Sequence, residues 1–193
     1  MEEKTSFKLR SAAKEDAPFL ARCLMEAMGG EVMEREETER DRRVLGVLET
    51  LCGREDTLYS WQFATVAETE SGTCVGASIA YPGAEYHQRR LVSFGLAREI
   101  ITFDTERMED ESEAGELYLD TLAVLPRWRR QGVGGLLMRR WLRQAEETGL
   151  TATLICATDN AKAHRLYESM GLRDVRRAFV FGEYYQKMAL IKG

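Results

Sequence analysis

The spacing of apolar residues divides the first half of the chain into short elements. Alternating or β-branched runs predict strands, and apolar positions three and four residues apart predict helices. Gly29-Gly30 follows the first helical pattern, and Thr69–Gly72 separates two strand patterns as a hairpin turn would. The pattern predicts strands at Ser6–Ser11, Trp61–Glu68 and Thr73–Tyr81, and helices at Lys14–Met28 and Glu34–Leu51.

The second half gives clearer signals. Pro126 ends one strand pattern, and Gly149 closes a long amphipathic helix. The predicted strands are Glu116–Val124, Thr151–Ala157, Asp174–Phe181 and Tyr184–Ile191, and the predicted helices are Gly132–Thr148 and Asn160–Met170. The resulting order, β-α-α-β-β-β-α-β-α-β-β, predicts an α/β fold with a mixed sheet. We expect residues 1–193 to form a single domain.

The stretch Ala84–Ala114 matches no pattern well. It begins as a helix around Glu85–Ile101 and then becomes acidic and loop-like. A connection of this length between two strands is unusual in a compact domain. We therefore expect an excursion from the sheet rather than an element of the core.

Composition narrows the class of protein. The chain has 193 residues and a net charge of −5, which disfavours nucleic acid as a partner. The spacing of its four cysteines matches no zinc module, so we expect no metal. No apolar run is long enough to cross a membrane, and the first ten residues contain no apolar secretion segment. We expect a cytoplasmic protein without a membrane partner, as a monomer or a homodimer.

Charge is distributed unevenly around the strand Glu116–Val124. Residues 121–144 contain six arginines and no acid, whereas Glu106–Asp120 contains seven acids and one arginine. A basic segment directly behind an acidic one predicts an anion site beside a cation site. The alternative is that both segments are solvated surfaces.

The sequence Pro126–Gly135, PRWRRQGVGG, lies between a predicted strand and a predicted helix. Gly132 and Gly134 leave backbone N–H groups accessible where the helix dipole is positive, and Arg129 and Arg130 are able to pair with phosphate. This arrangement predicts a diphosphate site. A P-loop would need Gly-Lys-Ser/Thr, and a dinucleotide fingerprint would need a glycine at Leu137.

Two motifs together resemble a known family. Residues 129–134 fit Arg/Gln-x-x-Gly-x-Gly/Ala, the signature of the GNAT superfamily of N-acetyltransferases. Residues 160–172, NAKAHRLYESMGL, resemble its second signature, Asn-x-x-Ala-x-x-Leu-Tyr-x-x-x-Gly-Phe, with Leu172 in place of the aromatic residue. The order of elements agrees over the whole chain. The resemblance is strong over Glu116–Gly171 and topological over Ser6–Tyr81.

The resemblance implies a function and a set of binding residues. The protein would use acetyl-CoA as co-substrate and transfer its acetyl group to a primary amine, which attacks the thioester directly in a ternary complex. Residues 84–114 would then lie on the substrate side. The coenzyme would contact Leu122, Ala123, Val124, Arg129, Arg130, Gln131, Gly132, Val133, Gly134, Gly135, Asn160, Ala163 and Tyr167.

Physical chemistry assigns the remaining roles. An alkylammonium group with a pKa of about 10.4 must lose its proton before it can attack. Glu116 and Asp120 are the candidate bases, because alternation places them on one face of a strand with Tyr118. Tyr167, which the resemblance places at the thioester sulfur, would hydrogen-bond the developing thiolate rather than transfer its proton fully. The acidic segment leads us to expect a polycationic or lysine-like acceptor, unless its acids only solvate a disordered loop.

The sequence is compatible with two other functions. A coenzyme A-binding sensor or interaction domain would keep the diphosphate loop without turnover. A nucleotide- or phosphosugar-binding module would use the loop of Gly132 but leave the pattern at Asn160–Gly171 without a reason. The presence of Tyr167, Asn160 and nearby carboxylates favours the enzyme.

Overall fold

The structure, a computed structural model, describes residues 6–102 and 104–191. These residues form a seven-stranded sheet with the order β1-β2-β3-β4-β5-β7-β6, in which only β4 and β5 are parallel neighbours. The strands are β1 Phe7–Ser11, β2 Ala64–Thr69, β3 Cys74–Pro82, β4 Glu116–Val124, β5 Thr151–Ala157, β6 Leu172–Val180 and β7 Glu183–Leu190. The helices are α1 Ala17–Ala27, α2 Glu39–Cys52, α3 Tyr86–Leu96, α4 Val133–Thr148 and α5 Ala161–Ser169.

Side chains that alternate along β4 belong to two different cores. Tyr118 and Ala123 lie in a cluster with residues of α1 and α2, whereas Leu117 and Leu119 pack with Trp141 of α4. The sheet is therefore covered on both faces, as the mixed α/β class requires. Within the described residues, no helix combines the length and apolar character needed to cross a membrane. Residues 1–5, half of the ten-residue stretch in which no apolar secretion segment is expected, lie outside the described residues.

The predicted order of elements is confirmed, and some boundaries were wrong. Helix α2 begins at Glu39 rather than Glu34. The reason is a capping box: the hydroxyl of Thr38 accepts a hydrogen bond from the backbone N–H of Asp41, whose carboxylate accepts one from the N–H of Thr38. Strand β6 begins at Leu172, two residues before the predicted Asp174.

The predicted helical excursion between β3 and β4 is present as α3 and the following loop, but the expectation that residues 84–114 are not an element of the core was wrong. Tyr86 and Ser93 of α3 are buried, and Met108 packs against Ala178 and Val180 of β6. The N–H of Glu109 donates to the carbonyl of Phe179, so this segment also covers the edge of the sheet. Long-range contacts that leave no local periodicity hold the segment in place. Below, residues 84–115 are called the insertion.

The two parallel central strands separate along their length. They pair through residues 116–118 of β4 and 151–153 of β5, and then diverge. Beyond Tyr118, β4 remains paired with β3 but has no ladder partner on its other edge within the described residues. An unpaired strand edge inside a sheet presents backbone donors and acceptors to whatever lies beside it. The gap between these strands positions the candidate site.

Candidate active site

The loop of Gly132, residues 129–132, leads into α4 and leaves the first backbone N–H groups of this helix without a side-chain cap. Gly132 is the N-cap of α4 with φ +90°, Arg130 has φ +61°, and no side chain caps the helix. The first N–H groups of a helix have no internal partners, so they are available to an anion, and the dipole favours negative charge there. A Cβ at Gly132 would meet no atom within 4 Å, which leaves open space beside these donors. The predicted diphosphate loop therefore has a fitting geometry.

Arg129, predicted to pair with phosphate, contacts carboxylates in this structure. Its guanidinium lies 2.6 Å from Glu26 of α1 and 3.1 Å from Glu34 in the following loop. Its Nε also donates to the carbonyl of Val124 at 3.0 Å. Arg129 thus joins the end of β4 to the end of α1. A bound diphosphate would compete with Glu26 and Glu34 for this side chain.

A cavity follows the end of β4 beside this arginine. Its volume is about 340 Å³, and its walls include Leu122, Ala123 and Val124, the strand residues predicted to contact the coenzyme. The opposite wall comes from the end of α1 and the α1–α2 loop. The cavity therefore brings the predicted strand residues together with Arg129.

A β-bulge places Asp120 in the widening gap. Ile79 pairs with Thr121 and Ala80 with Leu119, so Asp120 has no partner on β3. Bulges re-aim side chains and are frequent beside active sites. The Asp120 carboxylate accepts hydrogen bonds from the hydroxyls of Tyr81 and Thr121, each at 2.9 Å. Burial raises the pKa of Asp120 to about 6, because it outweighs these two hydrogen bonds, which lower it.

A second acid, Glu111, lies in the core behind Asp120. Its carboxyl group is 2% exposed and accepts hydrogen bonds from Tyr86 at 3.0 Å and from Tyr118 at 2.6 Å. The Tyr81 ring lies 5.6 Å from that of Tyr118 and stacks on Tyr86. Burial, and then the charge of Asp120, raises the pKa of Glu111 to about 8. From the sequence, Glu111 was one of the seven acids of the acidic segment, and neither Glu111 nor Tyr81 was a candidate site residue.

Glu116, the other predicted base, is part of an ion pair. The ammonium group of Lys187 lies 2.6 Å from one of its carboxylate oxygens and 2.7 Å from the other. Lys187 is 2% exposed, so the pair is shielded from solvent. One oxygen of Glu116 also accepts the N–H of Glu113. Proton uptake by Glu116 would leave a buried lysine charge without its partner, which is costly.

The second motif contributes from α5. The amide oxygen of Asn160 caps this helix by accepting the N–H of Ala163 at 3.0 Å, which leaves its amide donors available. Tyr167 is half-buried and packs on the α4 side of the sheet together with Ala163. Burial, with a smaller contribution from Cys156, raises the pKa of Tyr167 to about 12. Its hydroxyl makes no hydrogen bond within the described residues.

Part of the acidic segment is already neutralised by basic side chains. Asp110 pairs with Arg90 at 2.7 Å, and Glu109 with Arg176 at 3.0 Å. Together with the Glu116–Lys187 pair, these contacts occupy three of the seven acids that suggested a cationic acceptor. Glu106 and Glu113 are exposed.

Within residues 6–102 and 104–191, no group of three or more His, Cys, Asp and Glu side chains could hold a metal ion.

Comparisons with known proteins agree with this geometry. A sequence model of the acetyltransferase (GNAT) family matches residues 35–172. A solved structure described as an acetyltransferase is 26% identical, with a TM-score of 0.72 over 94% of this chain and 97% of its own. An N-acetyltransferase from Staphylococcus aureus Mu50 is 22% identical, with a TM-score of 0.72 over 94% and 99% of the two chains.

A third structure carries a ligand. The PaiA N-acetyltransferase from Thermoplasma acidophilum, solved in complex with coenzyme A, is 13% identical, with a TM-score of 0.54 over 95% of this chain and 98% of its own. Among curated proteins, nothing matches the chain. The family model covers well over half of the sequence, including both motifs and the helix and strand between them. This chain therefore belongs to the acetyltransferase (GNAT) family.

Proposed function

We propose that the protein is an acetyl-CoA-dependent N-acetyltransferase that acetylates a primary amine by direct attack in a ternary complex. The observation that carries this proposal is the gap between the parallel strands β4 and β5, which begins beyond residues 118 and 153. The loop of Gly132 follows the end of β4, and Asp120 lies where the gap opens. Both lie along the strand that would pair with a pantetheine arm.

Each binding role follows from one feature of the chain. The backbone N–H groups of residues 132–135 would hold the diphosphate of the coenzyme, with Arg130 beside them. The free edge of residues 122–124 would pair with the pantetheine amides as a further strand does. The amide donors of Asn160 face the same arm in this proposal, and Ala163 and Tyr167 would line its end.

Asp120 is the proposed base. The acceptor's ammonium group must lose a proton, and a carboxylate with a raised pKa accepts it more readily than an ordinary aspartate does. Glu116 is the less favourable choice because its charge is matched by the buried Lys187. The leaving thiolate, with a pKa of about 8.5, would be stabilised by a hydrogen bond from Tyr167. Full proton transfer from Tyr167, whose pKa is about 12, would be uphill.

The test is thiol release from acetyl-CoA with a panel of size-matched amines that differ in net charge, at low and high salt. Amine-dependent release that is lost in Asp120→Asn supports the proposal. A kcat/KM that falls as pH drops through about 6 would match protonation of the base. Because three acids of the insertion and β4 are paired, we expect a weaker preference for cationic acceptors than the sequence suggested. Acetyl-CoA binding without release for any amine would instead favour the coenzyme A-binding sensor.

A further inference from the structure

The burial of Glu111 calls for a physical reason. An ionised carboxylate removed from water is costly even when it is hydrogen-bonded, and an apolar side chain would fill the same space at lower cost. Met108, three residues earlier, shows that the insertion fills other parts of the core with apolar groups. Glu111 is nevertheless 2% exposed and held by Tyr86 and Tyr118.

The surroundings of Glu111 connect it to Asp120. Tyr118, which donates to Glu111, is the cross-strand partner of Tyr81, which donates to Asp120. The charged and titratable groups that interact with Glu111 are Tyr59, Tyr81, Tyr86, Arg90, Tyr118, Asp120 and Tyr185. Arg90 is already paired with Asp110, so its charge is largely satisfied elsewhere. Within the part of the chain that the structure describes, these two carboxyl groups thus lie in one tyrosine-lined region and neither forms an ion pair of its own.

We propose that Glu111 and Asp120 form a carboxyl pair that shares one proton, in which Glu111 holds the proton and leaves Asp120 as the single carboxylate at the acceptor side of the site. Two like charges close together in a region of low dielectric do not both ionise near neutral pH. Glu111 keeps the proton because it is fully buried, whereas Asp120 is half-buried and retains contact with water. Glu111 is then a positioning residue that acts through Asp120, and this inference rests on the proposed function of Asp120.

Through this pair, a residue of the insertion acts on the proposed base of the reaction. Asp120 belongs to β4 of the sheet, whereas Glu111 comes from the connection between β3 and β4. The burial of Glu111 raises its pKa, and the charge of Asp120 raises it further. The hydrogen bonds from Tyr118 and Tyr86 oppose this shift. Around neutral pH, Asp120 is therefore ionised and Glu111 is protonated.

The experiment is an infrared titration of the carboxylic acid carbonyl band in the full chain, without acetyl-CoA or amine. We expect wild type to show a protonated carboxyl band at pH 7 that disappears as pH rises through about 8 and is absent in Glu111→Gln. In Asp120→Asn the same band should disappear at least about one pH unit lower, because the neighbouring charge is gone. Labelling with ¹³C-glutamate assigns the band without a variant, should Glu111→Gln not fold.

The matched control is Glu113→Gln, an exposed acid of the same segment, which should leave the band and its titration unchanged. If Glu111 only accepts hydrogen bonds from the tyrosines, Asp120→Asn will not move its titration, and the proposal is overturned. A wild-type protein without a protonated glutamate band at pH 7 overturns it as well. Because no substrate is present, these outcomes are independent of whether amines are acetylated.

Discussion

The segment from β4 to α5 and the insertion are neighbours in sequence, but they are specified in different ways. In the first, local rules place two of the functional groups: a glycine cap exposes N–H donors at α4, and an Asn cap begins α5. In the second, Glu111 and Met108 are fixed by partners that lie elsewhere in the chain. Backbone chemistry can be read from local sequence, whereas a side chain inserted by a long loop depends on tertiary contacts.

The largest effect should come from a charge placed in the locally specified region. Gly134→Asp puts a carboxylate against the proposed diphosphate, and we expect acetyl-CoA affinity to fall by at least about a thousandfold. Wild type at about a hundredfold excess over Kd should gain roughly 2.7 kcal/mol, or about 5–11 °C in Tm. Differential scanning fluorimetry with acetyl-CoA measures both.

Gly134→Ala is the matched control for this prediction. Its Cβ would lie 3.8 Å from Val124, an ordinary contact, so the variant should fold as wild type does. A thermal shift that survives Gly134→Asp would show that the coenzyme binds elsewhere. A shift with ATP but none with acetyl-CoA would favour the nucleotide-binding alternative.

Gly83→Ala should disrupt the packing of the insertion most strongly. An added Cβ would overlap the carbonyl oxygen of Glu113 and the hydroxyl of Ser112, at the point where the insertion closes on itself. We expect a loss of about 3 kcal/mol in the free energy of unfolding, the upper range for overpacking. Gly95→Ala in α3 meets no atom within 4 Å and should instead stabilise by about 0.5–1 kcal/mol. Urea denaturation compares the two, and equal effects would contradict a tightly packed insertion.

The same contrast explains how much could be predicted from sequence. The order of the strands and helices and the loop of Gly132 followed from periodicity, glycine positions and the two motifs. The capping box formed by Thr38 and Asp41 marks the start of α2. Apolar periodicity does not register such capping residues, and it therefore predicted a start that is too early, at Glu34. The bulge at Asp120 and the burial of Glu111 have no local signature, because both depend on register and packing against β3 and α3.

The pH dependence of stability should reveal the buried acid of the insertion. The pKa of Glu111 is raised to about 8 in the folded protein, so the folded state holds this proton more tightly than the unfolded chain does. Its contribution therefore falls as pH rises from about 4.3 to 8 and then levels off. Relative to Glu111→Gln, wild type should lose about 2–3 kcal/mol in the free energy of unfolding between about pH 6 and pH 8, as measured by urea denaturation at a series of pH values. Parallel curves for the two proteins would show that Glu111 is ionised in the fold.

The smallest effect should come from a single hydroxyl in the locally specified region. Tyr167→Phe removes the proposed hydrogen bond to the departing thiolate but keeps the ring that packs beside Ala163. We expect kcat to fall by about 10- to 100-fold while acetyl-CoA affinity stays nearly unchanged, because the hydroxyl acts mainly on the transition state. Tyr184→Phe, at an exposed tyrosine of β7, is the control and should leave kcat unaltered. An unchanged kcat in Tyr167→Phe, with an acceptor in hand, would assign Tyr167 to packing and move the stabilisation of the thiolate to another group.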